Sequence, residues 1–379
     1  MKPFLFATAM LMTTIVGVGM FGLPYAASKS GFLIAAVFLV LLTFILTTLH
    51  LFYGEVVGRT KTEHRLVGYT DHYLGKRGKI LVSLSVMVGF YGSLLVYIII
   101  GGNFLNIVLS PIINLPSVVF NLIFFFIGTL AVYLGLRVIS GLDLFMGLFL
   151  ILIIFLFFFS GFNKIDINNL KTINWFKFFV PYGVILYSLA GMASVPEIRK
   201  IFHKEDRIYY KKAIIWGTLI PGILYFVFMV TVVGLTGVNT SPEAIEGLSG
   251  VLGGKIVYLG AIFGFLATIT SFFALGLSLK ETFLYDFKIN KNLAWFLACF
   301  VPLILYFLGV YNFITIITVL GAIMGGIEGT AIVLIYYKAK KLGTETPDYD
   351  LKYPVILKYV MISIFMIGLL YTLIEVLKQ

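Results

Sequence analysis

Two long apolar segments of this chain are each interrupted by a cluster of small residues and proline. Residues 4–27 break at positions 17–24, GVGMFGLP, and residues 178–201 break at positions 188–196, SLAGMASVP. Backbone N–H and C=O groups that a break frees inside lipid need partners, so such breaks normally face a cavity or a ligand. The positive end of a half-helix favours a carboxylate, and the negative end favours an ammonium or a metal cation. Two breaks at matching places therefore predict a site for a small zwitterion, a pattern typical of secondary transporters.

Ionisable side chains inside apolar segments are the other candidates for chemistry. Glu328 lies deepest, roughly 14 Å along a helix from the nearer end of its segment, so the sequence predicts a proton-coupling role for it. Glu55 precedes Arg59 by four residues, a spacing that favours an ion pair at a helix end. His50 has two interpretations, a buried hydrogen-bonded structural histidine or a proton relay.

The composition restricts the class of protein. Of the 379 residues 60% are hydrophobic and 12% are charged, and the mean hydropathy is +1.04, so lipid must be the solvent for most of the chain. The net charge of +11 does not indicate nucleic-acid binding, because the charges lie between apolar segments. The single Cys299 excludes a disulfide framework, and no metal-binding, acid–base or P-loop motif indicates an enzyme or a need for ATP.

Hydropathy predicts an all-α polytopic membrane protein with eleven spans. They cover approximately residues 4–28, 32–57, 80–109, 117–136, 141–161, 178–201, 213–236, 254–285, 293–310, 313–337 and 355–376. In the loop after the seventh span, the tripeptide at 241–243, SPE, is typical of a capped helix that could form an outer lid, or of a surface turn.

The basic residues predict the orientation. With the N-terminus in the cytoplasm, twenty-two of the 28 Lys and Arg residues lie on the cytoplasmic side, which is the expected asymmetry. The prediction is a multi-pass protein of the plasma (inner) membrane with its C-terminus outside. Spans 1–5 and 6–10 then have opposite topologies, so we expect an inverted repeat over residues 1–161 and 162–340, followed by a loop and the eleventh span over 341–379.

The run at 14–26, TIVGVGMFGLPYA, resembles the first-helix signature of amino-acid permeases. It is most similar to the amino acid/auxin permease group of the amino acid-polyamine-organocation superfamily, close to the bacterial hydroxy- and aromatic-amino-acid permeases. Eleven spans with a cytoplasmic N-terminus also fit that group. The resemblance implies the leucine-transporter fold, a 5+5 inverted repeat with helices 1 and 6 broken and an eleventh helix appended.

The resemblance also implies which residues bind the substrate. The substrate carboxylate would meet the backbone N–H groups of the first break, and the ammonium would meet carbonyls and side chains of both breaks. The substrate side chain would face Met192, with Tyr91 or Tyr97 of the third span alongside. The residues implied for the carboxylate are Gly17, Val18 and Gly19, and those for the ammonium are Ile15, Tyr187, Ser188 and Ala190.

A pattern in the eighth span, ATITS at 267–271, resembles the sodium site of sodium-coupled relatives. The implied ligands are the carbonyls of Thr13, Val16 and Ala267 and the hydroxyls of Thr270 and Ser271. The alternative is that these hydroxyls bond back to their own helix backbone. Sodium and proton coupling therefore both stay open.

The sequence thus predicts a secondary active transporter that imports a neutral or aromatic amino acid by alternating access, coupled to Na⁺ or H⁺. An uncoupled amino-acid exchanger is the alternative, and an ion channel or passive pore is a remote one because no filter-like loop is apparent. The expected partners are the amino acid and the bilayer, with no cofactor and no nucleic acid. Nothing in the sequence indicates the oligomeric state.

Overall fold

A computed structural model describes residues 2–135, 142–285 and 287–378, without the side chains of 142–146 and 285. All regular structure in these ranges is helical. The helices are α1 Lys2–Ile15, α2 Gly22–Ser30, α3 Phe32–Arg59, α4 Leu66–Leu109, α5 Ser117–Leu134, α6 Leu142–Gly161, α7 Val180–Ser188, α8 Val195–Lys200, α9 Tyr210–Thr236, α10 Ser249–Leu252, α11 Gly254–Tyr285, α12 Lys291–Phe307, α13 Phe313–Ile323, α14 Thr330–Leu342 and α15 Val355–Leu377.

The helices reproduce the predicted spans. Within the described residues, eight helical segments are long and apolar enough to cross a bilayer, and α1 with α2 forms a ninth span that bends by 52°. The 17-residue α12 and the short pair α7 and α8 account for the remaining two predicted spans. Helices 1 and 6 are broken as predicted, and the π-helical segment Met324–Gly329 joins α13 to α14.

One local prediction was wrong, and of the two alternatives open for residues 241–243 the structure has the turn. Helix α4 begins fourteen residues before the predicted start at residue 80, and Gly75 at φ 77° and ψ −173° divides it into a short first part and the long span. Only glycine adopts that conformation without strain. Residues 241–243 form no helix, because Ser241 starts a turn and its hydroxyl accepts the N–H of Gly247 at 3.1 Å. This loop is nevertheless buried at Glu243, and burial raises the pKa of that carboxyl group.

Glycines let the long helix α4 approach its neighbours closely. Gly264 of α11 lies against the ring of Phe104, with an added Cβ only 2.6 Å from that ring. Gly101 in turn lies against Phe124 of α5. Helices α4, α5, α11 and α12 share an apolar cluster, so they form one side of the molecule as a continuous packed scaffold.

A buried lysine completes this scaffold. Lys280 of α11 is 4% exposed, and its ammonium donates to the carbonyls of Val132 at 2.7 Å and Tyr133 at 3.1 Å in the last turn of α5. The Val132 carbonyl also accepts the N–H of Gly135 at 3.2 Å, and a cation at a helix C-terminus is favourable. Lys280 therefore ties α11 to the end of α5.

One face of the molecule, called here the basic face, carries Lys2, Arg59, Arg199 and Lys340. The segment 343–354 folds over this face between α14 and α15. Its Asp348 carboxylate accepts from the Arg199 guanidinium at 2.5 Å, and its Tyr349 hydroxyl donates to the Leu51 carbonyl at 2.7 Å. The segment therefore connects α8 with α3.

The same segment binds a second group of charges. Its Leu351 N–H donates to the Glu55 carboxylate at 2.8 Å. Hydrogen bonds from the Lys340 ammonium, and then the charge of Arg59, hold the pKa of Asp350 below its ordinary value. Glu55 also pairs with Arg59 at 2.8 Å, as its four-residue spacing predicts.

The opposite face, called here the far face, carries the ends of α2 and α9 and the start of α7. There α13 packs closely on the half-helices α2 and α7. A Cβ at Gly22 of α2 would lie 2.5 Å from the side chain of Ile317. A Cβ at Gly321 would overlap the carbonyl oxygen of Gly183 in α7, so these two helices touch backbone to backbone. The far face is therefore closed in this conformation.

We expect Gly321→Ala to destabilise this closed packing by about 2 kcal/mol or more, because the new methyl group overlaps backbone that cannot turn away. Gly89→Ala is the matched control, since its Cβ would meet only the sulfur of Met324 at 4.0 Å. The measurement is thermal unfolding of each purified variant in detergent. Equal melting temperatures for the two variants would contradict the close contact of α7 with α13.

Candidate functional site

The first break leaves backbone N–H groups without helical partners. Helix α1 ends at Ile15, Gly17 is extended at φ −145° and ψ −160°, and a single 3₁₀ turn over Val18–Phe21 leads into α2. The N–H groups of Val18 and Gly19 begin that turn, so they have no acceptor inside it. A Cβ on Gly17 would meet only its own chain, the Ile15 oxygen at 3.9 Å, so open space adjoins this residue.

The second break has the same order of parts. Helix α7 ends at Ser188, Gly191 adopts φ −139° and ψ 6°, and a 3₁₀ turn over Met192–Ser194 leads into α8. Ala190 is half-buried in the break, and Met192 is 7% exposed. The break therefore exposes some backbone while keeping the Met192 side chain in the interior.

The two breaks pack into each other reciprocally. A Cβ on Gly19 would lie 2.8 Å from the Cα of Ser188, the last residue of α7. A Cβ on Gly191 would lie 2.6 Å from the Cγ1 of Ile15, the last residue of α1. Each break thus presents a glycine to the final residue of the other half-helix, which brings the predicted residues Ile15, Gly19 and Ser188 together.

A tyrosine from a third helix joins the breaks. The Tyr225 hydroxyl of α9 lies 2.6 Å from the carbonyl oxygen of Ile15 and 3.0 Å from that of Ser188. Both carbonyls end a helix and have no partner in it. Tyr225 is fully buried, so this hydroxyl is held at the meeting point of the two negative helix ends.

Further side-chain bonds fix the surroundings of the breaks. The Ser194 hydroxyl donates to the Thr14 hydroxyl at 2.8 Å, linking the two half-helices that lead to the basic face. Thr14 and Ala193 are exposed, so solvent-sized space reaches the breaks from that side. The Tyr187 hydroxyl donates to Ser93 of α4 at 3.0 Å.

The structure separates the two tyrosines considered for the substrate side chain. Tyr91 packs only with the scaffold cluster of α4, α5, α11 and α12. Tyr97 contacts both that cluster and the core cluster that contains the broken helices. Tyr97 is therefore the one that lies between the scaffold and the breaks.

The residues considered for sodium are only partly brought together. The Thr270 hydroxyl lies 3.0 Å from the Ala267 carbonyl, one turn earlier in α11. The Thr13 hydroxyl bonds to the Ala9 carbonyl of its own helix at 2.9 Å, which leaves the Thr13 carbonyl as its possible ligand atom. Val16 is buried and Ser271 is half-buried. In the described part of the chain no three His, Cys, Asp or Glu side chains cluster as a metal site.

Glu328 lies in the π-helical segment and faces α4. It is 6% exposed, and its carboxylate accepts from the Ser85 hydroxyl at 2.9 Å. Ser85, Gly89 and Ser93 are spaced by four residues, so they share one face of α4. This face runs from the buried carboxylate to Ser93, the partner of Tyr187, over roughly 12 Å.

His50 fits the structural interpretation. Its Nδ1 lies 2.9 Å from the Thr218 hydroxyl, and that hydroxyl donates its own proton to the Ile214 carbonyl at 2.9 Å. The ring N–H of His50 is therefore the donor to Thr218. The imidazole connects α3 with α9 within the core.

The side chains that organise the site were not predicted. Tyr225, Ser85 and Ser93 lie in no motif of the sequence, and Tyr225 is one of 22 tyrosines. Thr14 and Ser194 lie in the run at 14–26 and the break at 188–196, but no role was predicted for them. The only available signal was position, since Ser85 and Ser93 stand two turns apart in an apolar span. Polar residues inside membrane spans commonly join helices.

Comparison with known proteins identifies a family whose model matches this chain. The model of the tryptophan/tyrosine permease family matches residues 1–374. Glutamine transporter 2 of Aliivibrio fischeri (strain ATCC 700601 / ES114) is 22% identical over 330 residues, which are 84% of this chain and 85% of the relative.

Solved structures share the fold at low identity. MhsT in complex with L-phenylalanine has a TM-score of 0.66 at 15% identity, covering 98% of this chain and 97% of MhsT. Mhp1, a nucleobase-cation-symport-1 family transporter, has a TM-score of 0.63 at 15% identity, covering 97% of this chain and 90% of Mhp1. A manganese transporter of Eremococcus coleocola has a TM-score of 0.67 at 11% identity, covering 97% of this chain and 85% of that one.

These neighbours have the leucine-transporter fold, which confirms the predicted fold class. A family model that covers nearly every residue, together with two broken helices joined at their free backbone groups, shows that this secondary transporter belongs to the tryptophan/tyrosine permease family.

Proposed function

We propose that this protein imports a neutral or aromatic amino acid across the plasma membrane by alternating access. The observation that carries the proposal is the meeting of two helix breaks, which brings N–H groups and carbonyls without helical partners close together in the core, the Ile15 and Ser188 carbonyls sharing the Tyr225 hydroxyl. An amino acid has a carboxylate and an ammonium at matching separation. The names of the relatives, a glutamine transporter and a phenylalanine complex, support this substrate class.

The substrate carboxylate binds at the first break. Gly17, Val18 and Gly19 supply the N–H groups, and a positive half-helix end adds favourable charge. Gly17 adjoins open space, so a ligand can approach its backbone. The carboxylate therefore needs no arginine or lysine in this site.

The ammonium binds on the other side of the same junction. Its acceptors are the carbonyls and side chains of Ile15, Tyr187, Ser188 and Ala190, of which the Ile15 and Ser188 carbonyls already converge on one point. Met192 and Tyr97 face the substrate side chain. Residues 13–25 and 187–196 contain no ionisable acid or base other than tyrosine, so a charged substrate side chain would stay unpaired.

The basic face is proposed to be cytoplasmic. Its excess of lysine and arginine agrees with the distribution in membrane proteins. The closed far face and the exposed Thr14 and Ala193 then describe a conformation closed to the outside and accessible from the cytoplasm. The reciprocal contacts of Gly19 and Gly191 support repeats over 1–161 and 162–340, with 341–379 appended.

Proton coupling through Glu328 is the proposed energy source. Its carboxylate is buried in the membrane interior with one hydroxyl partner, Ser85, and the neutral form is the less costly one in such a place. It sits in a π-helical segment, a distortion that often accompanies function. A carboxylate here therefore changes its charge at low structural cost when its access to water changes.

Sodium coupling is the second candidate. Two of its proposed ligands, the Thr270 hydroxyl and the Ala267 carbonyl, lie 3.0 Å apart, but the hydroxyl donates to that carbonyl, so a bound Na⁺ would have to replace this hydrogen bond. The remaining ligands would be the carbonyls of Thr13 and Val16 and the hydroxyl of Ser271. Oxygen ligands of this kind suit a hard cation.

Uptake into proteoliposomes tests the function. Labelled tyrosine, tryptophan, leucine, serine and alanine are each offered under an imposed proton gradient or an imposed sodium gradient. We expect accumulation of at least one of them under the proton gradient alone. Accumulation under sodium alone would move the coupling site to Thr270 and Ser271, and trans-stimulation without accumulation would indicate an exchanger. No flux of any amino acid would contradict the proposed substrate class.

Glu328→Gln separates coupling from binding. The amide keeps the shape of the protonated carboxylate but cannot release a proton, so we expect loss of proton-driven accumulation while exchange of labelled for unlabelled substrate continues. The control is Glu345→Gln, a carboxylate on the basic face. Normal uphill uptake by Glu328→Gln would exclude this residue as the coupling group.

Thr270→Val tests the sodium candidate against a neighbour of the same type. Thr268 is also buried in α11, but its hydroxyl bonds to the Gly264 carbonyl at 2.6 Å. If sodium is the driving ion, Thr270→Val should raise the sodium concentration for half-maximal uptake at least about tenfold, the loss of one ligand at a small site. Thr268→Val should leave it unchanged. Equal sodium dependence of uptake in Thr270→Val and Thr268→Val would exclude Thr270 as a sodium ligand.

A further inference from the structure

Tyr225 occupies a position that no part of the substrate assignment uses. Its single hydroxyl proton faces two acceptors, the Ile15 carbonyl at 2.6 Å and the Ser188 carbonyl at 3.0 Å. The two acceptors belong to helices α1 and α7, which are 173 positions apart at these residues. Tyr225 itself comes from a continuous helix, α9, and is 0% exposed.

The chemistry of this contact leaves capacity for a second donor. A carbonyl oxygen has two lone pairs, and one hydroxyl proton shared by two carbonyls satisfies only part of that capacity. Both carbonyls also carry the negative partial charge of a helix C-terminus. A cationic N–H donor placed beside the hydroxyl would therefore find two acceptors that already point to one place.

We propose that Tyr225 is a positioning residue for the substrate ammonium. Its hydroxyl holds the Ile15 and Ser188 carbonyls in one direction, so that both accept from the ammonium without a further movement of the breaks. The inference rests on the proposed function, because it assumes an amino acid in this site. It assigns to α9 a role in recognising the amino group.

Preorganisation of this kind has a selective consequence. Without the phenol hydroxyl, the two carbonyls lose their common donor and repel each other, so part of the binding energy of the ammonium is spent on realigning them. A ligand that has the carboxylate and the side chain but lacks the amino group does not use these carbonyls. Loss of the hydroxyl should therefore weaken binding of the amino acid and leave binding of the ligand without an amino group unchanged.

The test compares an amino acid with its des-amino analogue. Wild type, Tyr225→Phe and Tyr182→Phe are reconstituted as full chains, and uptake of labelled tryptophan is inhibited by unlabelled tryptophan or by indole-3-propionate. If wild type prefers leucine, the pair is leucine and 4-methylpentanoate. Tyr182→Phe is the matched control, since Tyr182 is also buried and its hydroxyl also donates to a carbonyl, that of Ile364 at 3.1 Å, away from the breaks.

We expect Tyr225→Phe to raise the inhibition constant of the amino acid by roughly tenfold, the loss of one oriented hydrogen-bond system. The constant of the des-amino analogue should stay within about twofold, because that ligand has no ammonium to place against the Ile15 and Ser188 carbonyls. Tyr182→Phe should change neither constant. Equal weakening of both ligands by Tyr225→Phe, or no change in either, would overturn the proposal.

A second variant tests the proposal if Tyr225→Phe does not fold, and wild-type uptake tests the proposed function separately. If Tyr225→Phe does not fold, 3-fluorotyrosine at position 225 preserves the shape and strengthens the donor, so the amino acid should gain affinity relative to its analogue. An unchanged ratio would overturn the proposal. Failure of the proposed function looks different, because wild type itself would then take up none of the five amino acids.

Discussion

Every backbone polar group inside a bilayer needs a hydrogen-bond partner, and this constraint governs the structure. Leaving such a group unpaired in an apolar medium costs roughly 2–7 kcal/mol. Two broken helices free several of these groups at the centre of the molecule. The chain satisfies the Ile15 and Ser188 carbonyls with one buried hydroxyl, that of Tyr225, and leaves the N–H groups of Val18 and Gly19 without an acceptor in their own turn, next to Gly17, which adjoins open space. The proposed binding site is therefore the place where backbone N–H groups of the breaks still lack a hydrogen-bond partner.

The short half-helices explain why the rest of the fold is so tightly packed. Helix α7 has 9 residues and α8 has 6, lengths at which an isolated helix is not stable. They persist because neighbours hold them on all sides. Gly183 admits the backbone of α13 on the far face, and Arg199 is held by Asp348 of segment 343–354 on the basic face. The contacts that stabilise the half-helices are also those that must change when either face opens.

Local sequence signals were sufficient for the spans, the breaks and the ion pair of Glu55 with Arg59, because each depends on hydropathy, on glycine and proline, or on helical spacing. The partners across the molecule were not predictable. Tyr225 with Ile15 and Ser85 with Glu328 are 210 and 243 positions apart in sequence, and only the packing of helices decides such meetings. At 241–243 the local signals fit a capped helix or a turn equally, and the structure has the turn, with Glu243 buried.

The positions of Glu328 and Gly321 bear on how a proton could drive the transport cycle. If Glu328 is the coupling group, its direct attraction to a substrate ammonium across about 12 Å, the length of α4 from Ser85 to Ser93, would be only about 1.4 kcal/mol at an effective dielectric constant of about 20, too little for tight coupling. Gly321, however, lies seven residues before Glu328 in the same span and touches the backbone of α7. The span that closes the far face therefore also carries the carboxylate. Under the proposed proton coupling, a change in the charge of Glu328 would act on the closing helix itself, so coupling through movement of α13 and its π-helical segment would require no contact between proton and substrate.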